Sequence, residues 1–323
     1  MRIDPALHAL RSEPALQRAA QVRLEQARHA WQTDGIMSEV ASDFMRFAAD
    51  EPLAALPCLT ACLSQTATGQ RLVAGLVGAI APALRHNPFG LVPFRHQLTA
   101  GHAVLELVRH GRAALSLMVY RPQAGPAAAS VCFTSGERYE LCLRGEGQGR
   151  LVRLARRGEK RAELAEAACW FGPGWLRSFD NGGETKLVDQ VTVPLVMLRL
   201  SRDPAQPGPA REYRLTDGAL IHQAAGDRRD SRRELALAVL GGMGRRDALP
   251  AMQAAARSGA SHVRWEAVRQ VLAMDSGAGF ALLGSIARDP SDALSAPAAA
   301  QRARLLETVP QLARAEEGAL CPA

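Results

Sequence analysis

The sequence predicts an α+β protein in which a β-rich middle is flanked by helical ends. Three observations predict it. Apolar residues recur at helical spacing up to residue 88, short apolar runs broken by Gly, Pro, Ser and Asp fill the middle, and a helical period returns at Asp230 with an internal repeat. A chain of 323 residues with 47% hydrophobic content has material for two or three modest cores. The expected divisions are a helical segment over 1–88, an antiparallel β-barrel or sandwich over 89–225, and helical repeats over 226–323.

From Ala15 to Trp31 the residues Leu16, Ala19, Ala20, Val22, Leu24 and Ala27 keep helical spacing. Helices over Ser38 to Ala49 and Pro52 to Ser64 follow, with polar or proline starts. The apolar run Leu72 to Leu84 is interrupted by Gly75 and Gly78 and falls short of the roughly 20 residues a bilayer span needs, so it reads as a buried helix. The first residues, MRIDPALHALRSEPAL, lack an apolar core with a small-residue cleavage site, so no secretory signal is expected.

After HNPFGLVPF the period changes. His102 to Arg109 and Ala113 to Tyr120 flank a tight turn at Gly111 and read as a hairpin. Strands are expected at Ser130 to Thr134, Arg138 to Arg144, Arg150 to Ala155, Thr185 to Val188, Val191 to Leu200, Glu212 to Leu215 and Ala219 to His222, with DPAQPGP at 203–209 as a loop. Their close spacing favours a sandwich or barrel over βαβ units.

In the last third, Ser231-Arg-Arg-Glu234 matches a capping box, which places a helix start at Arg232. Helices over Arg232 to Leu240 and Ala248 to Arg257 are followed by a second pair over Val263 to Met274 and Phe280 to Arg288. Met243 and Met274, Leu249 and Phe280, and Met252 and Leu283 each share an offset of 31 residues. GRRDALPAM followed by VRWEAVRQVLAMD resembles HEAT-type repeats over 231–313, with a degenerate third copy from Ala298. Stacked helical hairpins present a continuous face and seldom carry chemistry, so the resemblance implies protein binding.

In the middle, Tyr139-Glu-Leu-Cys-Leu-Arg-Gly-Glu-Gly147 and Phe171 to Asn181 resemble the two conserved segments of the cupin fold over roughly 110–200. The spacing from Gly174 to Asn181 matches the second segment, P-x-G-x(2)-H-x(3)-N, with Arg177 in the histidine's place. In the first segment, H-x-H-x(3,4)-E-x(6)-G, Arg138 stands for the glutamate before Gly145, and no histidine lies in Cys132 to Gly136. Guanidinium offers a metal no lone pair, so the resemblance implies a metal-free cupin-like domain without a cofactor. If the barrel forms, Arg138 and Arg177 make a cationic pocket for a carboxylate or phosphate, walled by Trp175 and Tyr139. A one-residue slip of register would turn the arginines to solvent.

Formal net charge is +7, and of 39 basic residues only Lys160 and Lys186 are lysines, a bias with the look of genome composition. The six cysteines, Cys58, Cys62, Cys132, Cys142, Cys169 and Cys321, are scattered in apolar contexts, which suits reduced thiols. The expected function is a cytoplasmic, non-enzymatic binding or adaptor protein that recruits a partner protein. Arg245, Arg246, Arg264, Trp265 and Arg269 are the contact candidates, Trp and Arg being common anchors. Trp265 also suits a core position. Two other classes compete. A metal-independent isomerase or epimerase of a small sugar or acid needs His96, His102 or His222 beside Arg177. A nucleic-acid binder needs Arg232, Arg233, Arg245, Arg246 and Arg264 on one face; no membrane association is expected.

Overall fold

The structure, a computed structural model, describes residues 14–86, 90–124, 128–158 and 160–312. The chain forms two compact units, Met1–Gln223 and Ala224–Ala323. It is α+β: helices, then an antiparallel sheet, then helices.

Among the described residues, the first unit opens with the helices α1 (Pro14–Thr33), α2 (Gly35–Ala48), α3 (Pro57–Ser64) and α4 (Thr66–His86). Asp34 caps α2 by accepting from Gly35 N. Leu56, at the N-cap of α3, has no side-chain oxygen to offer. Buried Asp43 on α2 supplies the missing acceptor, taking the Cys58 and Leu59 amides at 2.8 and 3.1 Å. The run expected at Leu72–Leu84 lies within α4, a helix of 21 residues that is long and apolar enough to cross a bilayer by length and composition. Here Leu72, Leu76 and Ile80 are used in the unit's core.

The strands are β1 (Arg95–Leu98), β2 (His102–His110), β3 (Ala113–Tyr120), β4 (Gln123–Ala124), β5 (Ser130–Phe133), β6 (Glu137–Arg157), β7 (Ala162–Phe171), β8 (Leu176–Asp180), β9 (Glu184–Arg202), β10 (Ala210–Arg214) and β11 (Leu220–Ala224). An eight-stranded sheet runs β1-β2-β3-β9-β6-β7, with β4 on β9 and β8 on β6, and a smaller sheet runs β11-β10-β5. The larger sheet is a bonded path that ends at β1 and β7. The strands expected at Arg138–Arg144 and Arg150–Ala155 are one strand, β6, and those at Thr185–Val188 and Val191–Leu200 are one strand, β9. The glycines that read as a turn are a bend inside a continuing ladder. Register shifts cluster between Cys142 and Gly149, and Gly145 has φ +93, where a Cβ would fall 2.0 Å from Pro194 O.

These shifts also exchange the two faces of β6. Before the bend, Leu141 and Leu143 join Leu198 and Leu200 of β9 against Phe44, Phe47, Leu59 and Leu72 of the helices. The opening helices therefore share a core with the sheet. Beyond the bend, Val152 packs on Val131, Phe133 and Tyr213 of the small sheet. A third apolar cluster holds Met118, Tyr120, Cys142, Phe171, Leu195 and Met197. Arg202 ties β9 to the end of α2, donating to Phe47 O at 2.7 Å and Glu51 O at 3.0 Å.

The second unit contains α5 (Arg228–Gly242), α6 (Leu249–Ala255), α7 (Ser261–Met274), α8 (Ser276–Ala287) and α9 (Ser295–Thr308). Helix α5 starts one turn earlier than the capping box predicts. Asp227 is the N-cap, accepting from Arg229 N at 2.8 Å, and Ser231 lies inside the helix. An aspartate caps as well as a serine, and Asp230 adds an acidic group to the first turn. Of the pairs offset by 31 residues, Met252 and Leu283 are both buried, whereas Met243 is 62% exposed.

Candidate functional site: a carboxylate shared by three cations

Beside the third apolar cluster lies a group of charged side chains. Glu140 on β6 is opposite Arg199 on β9 and Arg177 on β8, so these side chains start from one face, together with Arg138 two residues away. Lys186 arrives from the other half of β9. Thirteen residues separate it from Arg199, which in a straight strand is ~43 Å. Both nevertheless touch Glu140, because the sheet bends at the register shifts between Cys142 and Gly149.

Glu140 is fully buried, with Oε2 2.8 Å from Lys186 Nζ and Oε1 accepting from Arg199 Nε at 2.6 Å. Arg138 Nε lies 3.4 Å from Oε1, its Nη2 donates to Thr185 Oγ1, and its guanidinium covers the Phe179 ring at 4.4 Å. The Lys186 ammonium sits 5.2–5.3 Å from the ring centroids of Tyr120, Phe171 and Trp175, with Met197 Sδ against it. Arg199 is also bonded to Tyr120.

One carboxylate therefore serves three cations. Burial by itself pushes the Glu140 carboxyl up, but the charges of Lys186, Arg199 and Arg138 outweigh it and hold the group well below the usual carboxylate range. Burial draws the Arg138 guanidinium down, and Arg199 adds repulsion. Arg199, desolvated but pressed on Glu140, goes up. Exposure is graded across the cluster. Glu140 and Lys186 are sealed at 0% and 3%, while Arg138 and Arg199 keep 15% and 23% of their side chains in solvent. The edge open to solvent is thus its cationic edge.

Arg138 is part of this cluster. Arg177 starts from the same face but pairs with Glu184 at 2.5 Å. Trp175 borders the cluster over Lys186 and meets Phe171 edge-on at 4.9 Å. Tyr139 does not wall the pocket. Adjacent strand residues point to opposite faces, so it turns to the helices, edge-on to Phe47, and donates to Glu137 Oε2 at 2.6 Å. Burial, with that hydrogen bond, pushes its hydroxyl up to about 12. Glu140, Lys186 and Arg199 were not singled out from sequence. The available signal was that Lys186 is one of only two lysines and lies in an apolar strand.

None of the three candidate histidines is bonded to Arg177 among the described residues. His96 contacts Phe94 O and is exposed, as is His222. His102 Nδ1 meets Thr99 Oγ1 at 3.0 Å, and its ring lies 5.5 Å from that of Tyr120. Burial and then Arg199 draw the His102 imidazole down. Among the described residues no three His, Cys, Asp or Glu side chains are grouped to hold a metal ion. Of the cysteines, Cys321 lies outside the described residues, and the other five are free thiols.

In the second unit, Arg264 is committed to the fold rather than to a partner. It forms a two-pronged pair with Asp292 and donates to Ala256 O at 3.0 Å. Trp265 is half-buried against the helical core. Arg245, Arg246 and Arg269 are exposed, Arg245 pairing with Asp247 at 2.7 Å and Arg269 with Glu266 at 3.2 Å. Arg233 pairs with Asp230 at 3.4 Å, and Arg232 is exposed. With Arg264 occupied, the five arginines required for a nucleic-acid surface are not all available.

No protein-family model matches the chain, and no curated protein matches it. Among solved structures it is similar to a Drosophila melanogaster CENP-C cupin domain, with 12% identity, a TM-score of 0.27, and coverage of 34% of this chain and 76% of that one. A 7S globulin of Momordica charantia matches at 12% identity and TM-score 0.27, over 38% of this chain and 35% of that one. HutD of Pseudomonas fluorescens SBW25 matches at 14% and 0.24, over 35% and 58%.

Proposed function

We propose that the first unit is a metal-free, cupin-like module that binds a small carboxylate or phosphate at the Arg138–Arg199 edge, and that HEAT-like hairpins of the second unit recruit a protein partner. The chain then acts as a non-enzymatic binding or adaptor protein. One observation carries the anion reading: three cations converge on one buried carboxylate, Glu140. Two positive charges stay uncompensated in surroundings where an unpaired charge is costly. An anion arriving from solvent meets two guanidinium groups whose remaining N–H donors suit a planar or tetrahedral oxyanion. Trp175 supplies an apolar wall beside Lys186. The recruitment reading is supported by the exposed Arg245, Arg246 and Arg269 on a helical surface.

Titration calorimetry at low salt, with inorganic phosphate and with malonate as probes, tests the first part. Saturable binding is expected, weakened about tenfold or more in Arg138→Gln, equivalent to ~1.4 kcal/mol. Absence of saturation with both probes, or unchanged affinity in the variant, defeats the reading. For the second part, a partner captured by the whole chain should be lost in an Arg245→Glu, Arg246→Glu, Arg269→Glu variant. Retention refutes it.

A further inference from the structure

We propose that β7 is a self-pairing edge, along which two copies of this chain join their large sheets antiparallel. Among the described residues, β7 is bonded in the sheet to β6 alone. Its start is closed off, since the Ala162 N–H turns outward to Gly218 O at 2.8 Å. Alternate residues share that outward side, so Leu164, Glu166, Ala168 and Trp170 direct their backbone N–H and C=O groups away from β6. Edges of this length are ordinarily guarded by Lys, Pro, a bulge or unpaired charge. Here the ten residues AELAEAACWF contain no Lys and no Pro. The register shift of the hairpin inserts its extra residue on β6. Both glutamates are neutralised within the hairpin, Glu163 by Arg156 and Glu166 by Arg150. Ala165 to Ala168 are exposed on both faces, and Trp170 is 55% exposed.

The side chains select a second copy and a register. With Glu166 on the two-fold axis, two glutamates would be directly opposed, which destabilises a strand pair. With Ala167 on the axis, Glu166 lies opposite Ala168 of the second copy, and Leu164 lies opposite its Trp170. Four outward residues then exchange about eight backbone hydrogen bonds, and each exposed tryptophan comes to lie beside the other copy's Leu164, which also packs on the core of the small sheet. This pairing is independent of the anion reading, because Arg138, Glu140 and Lys186 take no part in it.

Sedimentation of the full chain across a concentration series is expected to show a species of twice 34.6 kDa that dissociates on dilution. Ala168→Pro removes an outward N–H and leaves the β6 ladder intact, so the variant should be monomeric with an unchanged circular dichroism spectrum. Trp170→Lys changes no backbone donor and should shift the equilibrium towards monomer as well. An Ala167→Cys variant places two thiols across the axis, where mild oxidation should give a 167–167 disulfide identifiable by peptide mass. A wild-type monomer at all concentrations overturns the proposal, as does a dimer unaffected by both edge variants. A dimer without the 167–167 link overturns the register.

Discussion

Replacing Glu140 with Gln should be the most damaging single change within the charged cluster, and changing any one cation should do much less. Glu140 is fully enclosed and stands within 3.4 Å of Lys186, Arg199 and Arg138. Glutamine keeps the shape but leaves three cations facing one another without a counter-charge. Breaking a buried pair in this way typically costs about 3–5 kcal/mol, and sharing among three cations places the expectation near the top of that range. In Lys186→Met the carboxylate keeps two guanidinium partners. The methionine fills the same space among Tyr120, Phe171 and Trp175 with favourable sulfur–ring contacts, so a loss below ~1.5 kcal/mol is expected. Equilibrium urea unfolding followed by tryptophan fluorescence reports the difference, since Trp31, Trp170 and Trp175 lie in the first unit. If Glu140→Gln unfolds within about 1 kcal/mol of the parent, or if Lys186→Met costs more than Glu140→Gln, the idea that one carboxylate compensates an excess of cations is wrong.

The same cluster sets a pH dependence. The folded-state Glu140 carboxyl is held below its unfolded value of about 4.3, so its stabilisation is complete above that pH and is lost as pH falls further, through the lower folded value. The stability gap between the parent and Glu140→Gln should therefore narrow on acidification below about pH 4, measured by urea midpoints from pH 3 to 7; a constant gap contradicts this. Arg202→Met should lower the stability of the first unit by about 2 kcal/mol, because it removes charged hydrogen bonds to the carbonyls of Phe47 and Glu51 at the end of α2. A change under ~0.5 kcal/mol by the same unfolding assay would show that those carbonyls are satisfied without it.

Several features were legible in sequence for identifiable reasons. The hairpin at Gly111 combines a positive-φ glycine with apolar runs on both sides, and the structure forms it as β2 and β3. The helices at both ends carry their own spacing, and α2, α5 and α8 each carry an aspartate cap. Other features were not. The segment AELAEAA in β7 has the composition of a helix and gives no strand signal, yet it is extended because β6 offers it a ladder. Gly145 and Gly147 read as punctuation between two strands, whereas a positive φ lets one strand bend and keep pairing. Local preference for a cap at Ser231 gave way to Asp227, one turn upstream.

The candidate site shows the same division. Arg138, Arg177 and Trp175 could be named from spacing, but their roles depend on which face each side chain occupies, and that is inverted by every one-residue shift. Glu140 on β6 lies far in sequence from Lys186 and Arg199 at the two ends of β9, and no motif joins them. The sequence by itself determined the order of helical and extended segments, because periodicity and turn chemistry are local. Only the tertiary structure decided which charges meet. The bend in β6 and β9 brings Lys186 onto a carboxylate 46 residues away, and a contact made by folding a sheet over itself leaves no trace in local sequence.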